Sequence, residues 1–348
     1  MTNELTHQPQ NELTHQAAQA LAGQVANQAA AKSTFADYQA RKADNTNRRA
    51  AADLALFAAF LRSAGLTPGD LQTDPAAWHG ITWGLVEAFT RWQLLEGYAV
   101  GSVNVRLATV KTYAGLALKA GEISPADYAL IMTVKGYSHK ETKRIDEKRE
   151  ASGQDTRKST KKAAAVVLTP AQADDLLTRP DTPQGRRDAL MLALMIDHGL
   201  RVGEVAILAV GDFDLARGEL RFYRPKVDKT QTHKLTPRTQ AAALAYIQND
   251  APALGPVWRA SAGRGLSGEL ADQGMSERAI TKRVAYLGAL AGVAGLSAHD
   301  LRHYWATRAA RNGTQIDRLQ DAGGWNSPAM PLRYVEAAKI ANSGVMLG

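Results

Sequence analysis

His299 and Arg302 stand three residues apart in LSAHDLRHYW, a stretch patterned as helix, so an imidazole and a guanidinium project from one face toward the same small volume. An anion suits that volume. Arg presents a fixed fork of donors matched to phosphate, and His exchanges protons near neutral pH. Tyr334 follows after a helix-length segment and a Gly323-Gly324 break, where a short helix would present a hydroxyl. Upstream, Arg201 and Glu204 are again three apart on a helical turn, and Trp325 lies nine residues before Tyr334. Lys226 ends GELRFYRPK, which with KTQTHKLTP alternates as a strand about a short turn, so the pair reads as a β-hairpin with the lysine near its tip. Each piece is common by itself; the weight lies in their conjunction in this order.

The elements that must hold these groups follow from composition. With 348 residues, 45% of them apolar, the chain has room for two domains plus tails. No run of about 18 apolar residues occurs, and the polar start MTNELTHQPQ lacks a signal-peptide core, so a cytoplasmic protein without a membrane partner is expected. The absence of cysteine excludes disulfides, thiolate nucleophiles and Cys-ligated zinc. A net charge of +8 favours a polyanionic partner, nucleic acid foremost, although mildly basic proteins without one are common.

Residues 1–32, with NELTHQ repeated at Asn3–Gln8 and Asn11–Gln16, read as a disordered or loosely helical tail, which removes His7 and His15 from consideration as ligands. Residues 33–137 read as a small helical domain. Its first helix starts at Asp44 to Asn47 and carries Leu54, Phe57, Phe60 and Leu61 at helical spacing; the second runs from Trp83 to Glu96; the third begins near Gly101. That third helix buries Val103, Leu107, Val110 and Ala114 and turns Ser102, Asn104, Arg106 and Lys111 outward. Those four, with Arg48 and Arg49, are the candidate DNA contacts, and a solvated polar face is the alternative. Residues 138–164 are nearly free of apolar side chains and read as a basic linker able to track phosphates. Residues 165–348 form the second domain. Thr169 caps a helix with Pro170 at its first position, the apolar helix RRDALMLALMIDHGL ends at Gly199, the hairpin follows, and the remainder is helical except for a Gly-rich loop near Ser261 to Gly268.

Arg201 with Glu204, a hairpin lysine, His299 with Arg302, Trp325 and Tyr334, in that order over residues 165–340, resemble the tyrosine recombinase (phage integrase) family. Its members carry an Arg, a hairpin Lys, a His-x-x-Arg pair, a His or Trp, and a Tyr nucleophile near the C-terminus. Trp325 at the place of the second His makes the resemblance Cre-like. The resemblance implies a mainly α fold with a small β-sheet: a helical core-binding domain and a mixed α/β catalytic domain that form a C-shaped clamp around DNA. It also implies a site-specific DNA recombinase acting through a 3′-phosphotyrosine and a Holliday junction, with four protomers on two double-stranded DNA sites. Neither metal nor other cofactor is expected, since arginines neutralise the phosphate and the phosphotyrosine conserves the bond energy.

In the roles so implied, Tyr334 attacks the phosphodiester while Arg201 and Arg302 bind its non-bridging oxygens. His299 takes the phenol proton, Lys226 protonates the departing 5′ oxygen, Glu204 orients Arg201 or a neighbouring imidazole, and Trp325 donates its indole N–H. Counting from Gly218 selects Lys226 as the hairpin lysine, whereas counting back from Pro237 selects Lys229, which is otherwise a phosphate contact. His303 and His198 read as packing histidines. The apolar tail after Tyr334 either folds back or, as the family implies, docks on a neighbouring protomer. A type IB topoisomerase, a telomere resolvase and a catalytically silent DNA binder remain the alternatives.

Overall fold

The computed structural model describes residues 9–154, 166–262 and 268–338, and the chain divides into two compact units, residues 1–163 and 164–348. The first unit is helical: α1 (Pro9–Ala40), α2 (Asp44–Ser63), a 3-10 turn at Pro75–Trp78, α3 (Trp83–Leu95), α4 (Val100–Ala120), α5 (Pro125–Thr133) and α6 (His139–Ala151). Its core is aromatic. Phe57 packs on Phe89 with ring centroids 4.9 Å apart, and the fully buried Trp78 stacks toward Tyr113 and donates its indole N–H to the Leu71 carbonyl at 2.9 Å.

Three expectations change here. The tail does not end at residue 32, because α1 runs unbroken to Ala40; residues 15–30 are exposed, and only the last part of the helix buries a large side chain, Phe35, against Tyr113. The basic segment expected as a linker is helical over His139–Ala151. Its start is a capping box, in which Glu141 N–H donates to Ser138 Oγ and Ser138 N–H to Glu141 Oε2. Its end is anchored by Arg149, which is buried and donates to the carbonyls of Leu94 (2.8 Å) and Tyr98 (3.0 Å), at and just beyond the end of α3. The rest of the expected linker, 155–165, lies outside the described residues.

The polar face of α4 is the third. Asn104 is spent on the backbone of Tyr137, accepting from its N–H and donating to its carbonyl, both at 2.8 Å. Arg106 lies over the Tyr98 ring at 4.4 Å, reaches Gln93 Oε1 at 3.1 Å and keeps only 13% of its side chain exposed. Lys111 donates to the carbonyls of Met132 (2.9 Å) and Val134 at the end of α5. These three side chains close the packing of α4 on its neighbours, so polarity on this face reflects internal hydrogen bonding. Ser102 is half-buried; Arg48 and Arg49 stay exposed at the start of α2, with Arg49 3.4 Å from Asp53.

The second unit is mixed. It contains α7 (Pro170–Leu177), α8 (Pro183–Asp197), α9 (Val202–Ala206), β1 (Phe213–Asp214), β2 (Glu219–Arg224), β3 (Lys229–Lys234) and α10 (Pro237–Asn249). It continues with β4 (Arg259–Ser261), β5 (Leu270–Gly274), α11 (Glu277–Leu290), α12 (Ala298–Arg311), α13 (Ile316–Gly323) and α14 (Ala329–Ala338). As expected, Thr169 caps α7 with Pro170 in its first turn. Helix α8 is the central rod: every residue from Leu190 to Ile196 is fully buried, as an all-round apolar helix requires. The β1-β2-β3 sheet is antiparallel, and Arg224 pairs with Lys229 at its last rung, leaving Lys226 in the connecting turn. The Gly-rich loop is flanked by a second hairpin, β4 with β5, where helix is expected on either side of that loop; residues 263–267 lie outside the described residues. So does the end of the tail, 339–348.

Candidate active site

Arg201 emerges just before α9 because Gly199, at φ +62°, turns the chain sharply out of α8. Only Gly fits there: a Cβ would lie 2.2 Å from the Trp305 ring. Arg201 and Glu204 form a closed pair, with Nη1 2.6 Å from Oε1 and the Arg201 backbone N–H 2.8 Å from Oε2. Glu204 is 2% exposed and holds a second cation, Arg224 Nη1 at 2.7 Å. The carboxylate thus holds Arg201 on one side and, on the other, a partner that belonged to no motif. The only signal for Arg224 was its place on an inward-facing strand position, since Leu220, Phe222 and Arg224 alternate inward along β2.

His299 and Arg302 do share α12, yet their surroundings differ. Arg302 is 2% exposed and donates through Nη1 to the Gly199 carbonyl and through Nη2 to the Gly323 carbonyl at 2.6 Å. Burial, then the Arg201 charge, pushes its pKa down, while the two carbonyls stabilise the charged form. Arg201, with 23% of its side chain exposed, is the more open of the two arginines. His299 is exposed as a residue, but desolvation of its ring and then the Arg302 charge hold its pKa below the ordinary value.

Trp325 follows the Gly324 turn, which ends α13 in the left-handed region. Its ring lies 4.6 Å from the Arg302 guanidinium carbon, 6.0 Å from Trp305 and 5.6 Å from Tyr334. Tyr334 on α14 is 5% exposed and presses edge-on against His303 at 4.9 Å. His303 is therefore the imidazole against the phenol ring in this structure, a contact that i+4 spacing from His299 could have suggested. Burial raises the Tyr334 pKa, opposed by the charges of Arg302, Arg201 and Arg333. Lys226 is exposed in its turn, while Lys229 is engaged by Asp321 at 2.6 Å.

Beside this wall, the β3 side of the unit carries a cleft of about 630 Å³ lined by His198, His233, Trp305 and Asp321 among others. His198 is 5% exposed and lies 3.1 Å from Thr239 Oγ1; its ring centroid is 5.8 Å from that of His233. Burial pushes His198 down to about 4, and burial with the Arg224 charge pushes His233 down to about 3. Both are neutral when folded and become protonated near pH 6.5 when unfolded, so their contribution is intact above pH 6.5 and is lost as pH falls toward 4. For His198 the loss is on the order of 3 kcal/mol. Urea midpoints at pH 7.5 and 4.5 should differ accordingly, and His198→Asn should shrink the difference; an unchanged difference would remove His198 as the cause.

Guanidinium, indole and phenol groups thus converge on one wall of the mixed unit, which follows the helical one in the chain. Residues 166–340 match the model of the phage integrase family, which is half of the chain, and the chain belongs to that family: it is a tyrosine recombinase, an enzyme of site-specific DNA breaking and rejoining. It is 28% identical over 258 residues to tyrosine recombinase XerD of Xanthomonas axonopodis pv. citri (strain 306), spanning 72% of this chain and 76% of that one. It is 25% identical over 300 residues to tyrosine recombinase XerC of Mycobacterium sp. (strain JLS), spanning 84% and 88%. Among solved structures it resembles the Tn1549 transposon integrase in complex with transposon right end DNA, with a TM-score of 0.60, 13% identity and coverage of 90% and 96%. The lambda integrase dimer bound to a COC' core site gives a TM-score of 0.58 at 14% identity, covering 86% and 92%. At such identities these two speak for the fold. Among the described residues no helix is long and apolar enough to cross a membrane.

Proposed function

We propose that the enzyme binds double-stranded DNA and cleaves each strand by attack of the Tyr334 oxygen on a phosphodiester, leaving a 3′-phosphotyrosine and a free 5′ hydroxyl. The observation that carries this is the convergence of Arg302, Trp325 and Tyr334 on one wall, with Arg201 opening onto it. Arg201 binds a non-bridging oxygen first, being the more exposed; Arg302, whose terminal nitrogens each retain a second proton, stabilises the charge that grows in the pentacoordinate transition state. Trp325 donates its indole N–H to the same phosphate. His299, neutral at pH 7, accepts the phenol proton, and Lys226 delivers a proton to the leaving 5′ oxygen. Rejoining reverses these steps. The full cycle takes four protomers on two duplexes through a Holliday junction, in the cytoplasm, without metal or cofactor. Arg48, Arg49 and Ser102 remain available to contact DNA from the helical unit.

Suicide-substrate DNA, nicked so that the cleaved strand is lost, tests the reading: the covalent adduct should map to the 3′ phosphate at a defined site. Adducts at 5′ ends, or relaxation of plasmids lacking any site, would overturn it.

Two further outcomes follow. Lys226→Ala should slow cleavage on the order of 10²- to 10³-fold, and Lys229→Ala by less than about 10-fold, because Lys229 is held by Asp321 rather than aimed at a leaving group. The reverse ranking would reassign the acid. The pH profile of single-turnover cleavage should stay level from pH 8 down through 6.5 and fall only below the lowered pKa of His299, since protonation removes the acceptor. A proportional decline already under way above pH 7 would exclude His299 as the base.

A further inference from the structure

Three consecutive carbonyls at the end of α13 each accept from an arginine of a different element. Ala322 O takes Arg224 Nη2 at 2.7 Å, Gly323 O takes Arg302 Nη2 at 2.6 Å, and Gly324 O takes Arg201 Nη2 at 3.4 Å. The last carbonyls of a helix carry partial negative charge and lack partners within the helix, so cations suit them. The next residue is Trp325. Two of the three arginines have roles in the reaction proposed above; Arg224 does not.

Arg224 is fully buried, and each nitrogen of its fork is used inward: Nη1 on Glu204 Oε2, Nε on Gln231 Oε1 and Nη2 on Ala322 O. Gln231 in turn donates to the Asp321 carbonyl at 2.7 Å. A Cβ on Gly324 would lie 2.6 Å from Arg224 Cδ, so the turn and the guanidinium are fitted to each other. Its burial keeps Arg224 from reaching DNA. It sits two residues before Lys226, at the base of an exposed turn whose aim depends on where the strand ends are fixed.

We propose that Arg224 is a positioning residue, which locks the base of the Lys226 hairpin to Glu204 on one side and to the turn before Trp325 on the other. The leaving-group acid and the phosphate-gripping groups are thereby held in one register. The inference rests on the assignment of Lys226 as the acid. Displacement by about 1 Å at a reacting group costs on the order of 10²-fold, which makes a rigid base for a flexible turn consequential.

The test compares suicide DNA carrying the normal 5′ oxygen with DNA carrying sulfur at that bridging position. A thiolate leaves without being protonated, so sulfur removes the need for the acid. Single-turnover cleavage is measured for the wild type, Lys226→Ala, Arg224→Met and Arg224→Lys. Arg224→Lys retains a charge for Glu204, but one ammonium cannot span Gln231 and Ala322 as well. Both Arg224 variants should lose roughly 10- to 100-fold on oxygen, recover most of it on sulfur, and bind DNA within about 3-fold of the wild type. If Lys226→Ala is rescued by sulfur and the Arg224 variants are slow on both substrates, the inference is overturned while the lysine assignment stands. If Lys226→Ala is not rescued, the lysine assignment falls and the inference with it. Should Arg224→Met fail to fold, Arg224→Lys decides; wild-type cleavage of oxygen DNA by Arg224→Lys, or loss of fold in both variants, counts against it.

Discussion

Tyr334→Phe abolishes the covalent protein–DNA adduct and lowers strand cleavage by on the order of 10⁴-fold or more, because no other group replaces the nucleophile. The substitution deletes one oxygen and keeps the ring, so the contacts with His303 and Trp325 persist and the 5% exposed position is not emptied. DNA affinity and melting temperature should therefore match the wild type. Denaturing gels of protein mixed with suicide DNA check the first statement, and mobility shifts with thermal melts check the second. A persistent adduct would transfer the nucleophile to another hydroxyl; Tyr304, on α12 with its ring 5.4 Å from the Arg308 guanidinium carbon, would be the first to examine. An undiminished adduct would sink the assignment of Tyr334.

Arg201→Ala lowers single-turnover cleavage by about 10²- to 10³-fold, the usual cost of one preorganised donor aimed at a developing anion. Arg201 is the most open cation of the cluster, and it alone pairs with Glu204 through Oε1. Its loss leaves that carboxylate 2% exposed with Arg224 and the residue 201 backbone N–H as partners, costing on the order of 1–3 kcal/mol of stability. Arg201→Lys should recover little activity, because one ammonium cannot hold Glu204 and phosphate in the same planar fork. Single-turnover rates at saturating DNA separate the catalytic loss from weaker binding. Cleavage by Arg201→Ala within about 3-fold of wild type would place the main phosphate donor elsewhere.

How far the sequence reached differs between the two units. In the second, short-range signals governed local structure: Thr169 with Pro170 starts α7, Gly199 ends α8, and alternation on either side of Lys226 makes the β2-β3 hairpin. The second hairpin lies where helix is expected on either side of a Gly-rich loop, because strands of three and five residues are too short for alternation to register. In the first unit, Asn104, Arg106 and Lys111 had the spacing of an exposed polar stripe. Their use was internal, because the loop around Tyr137 and the end of α5 bring open backbone groups to that face. A polar residue on a helix has the same sequence signature whether it meets water, phosphate or a carbonyl. The basic stretch behind them misled in the opposite direction: Ser138 and Glu141 cap a helix there, and the order comes from that cap and from one buried arginine rather than from an apolar face.

What the sequence determined by itself was the family, since residue type and order survive any folding, and through that resemblance Arg201, Glu204, His299, Arg302, Trp325 and Tyr334 became the site candidates. What only the tertiary structure decided was how those groups are held. Arg201 is more open than Arg302 because α12 packs Arg302 between the carbonyls of Gly199 and Gly323. His303 rather than His299 meets the Tyr334 ring because α14 returns against that side of α12. Arg224 joins Glu204 because β2 passes behind α9, bringing together residues twenty apart in the chain. Burial and long-range pairing are properties of how elements pack, and no local pattern encodes them.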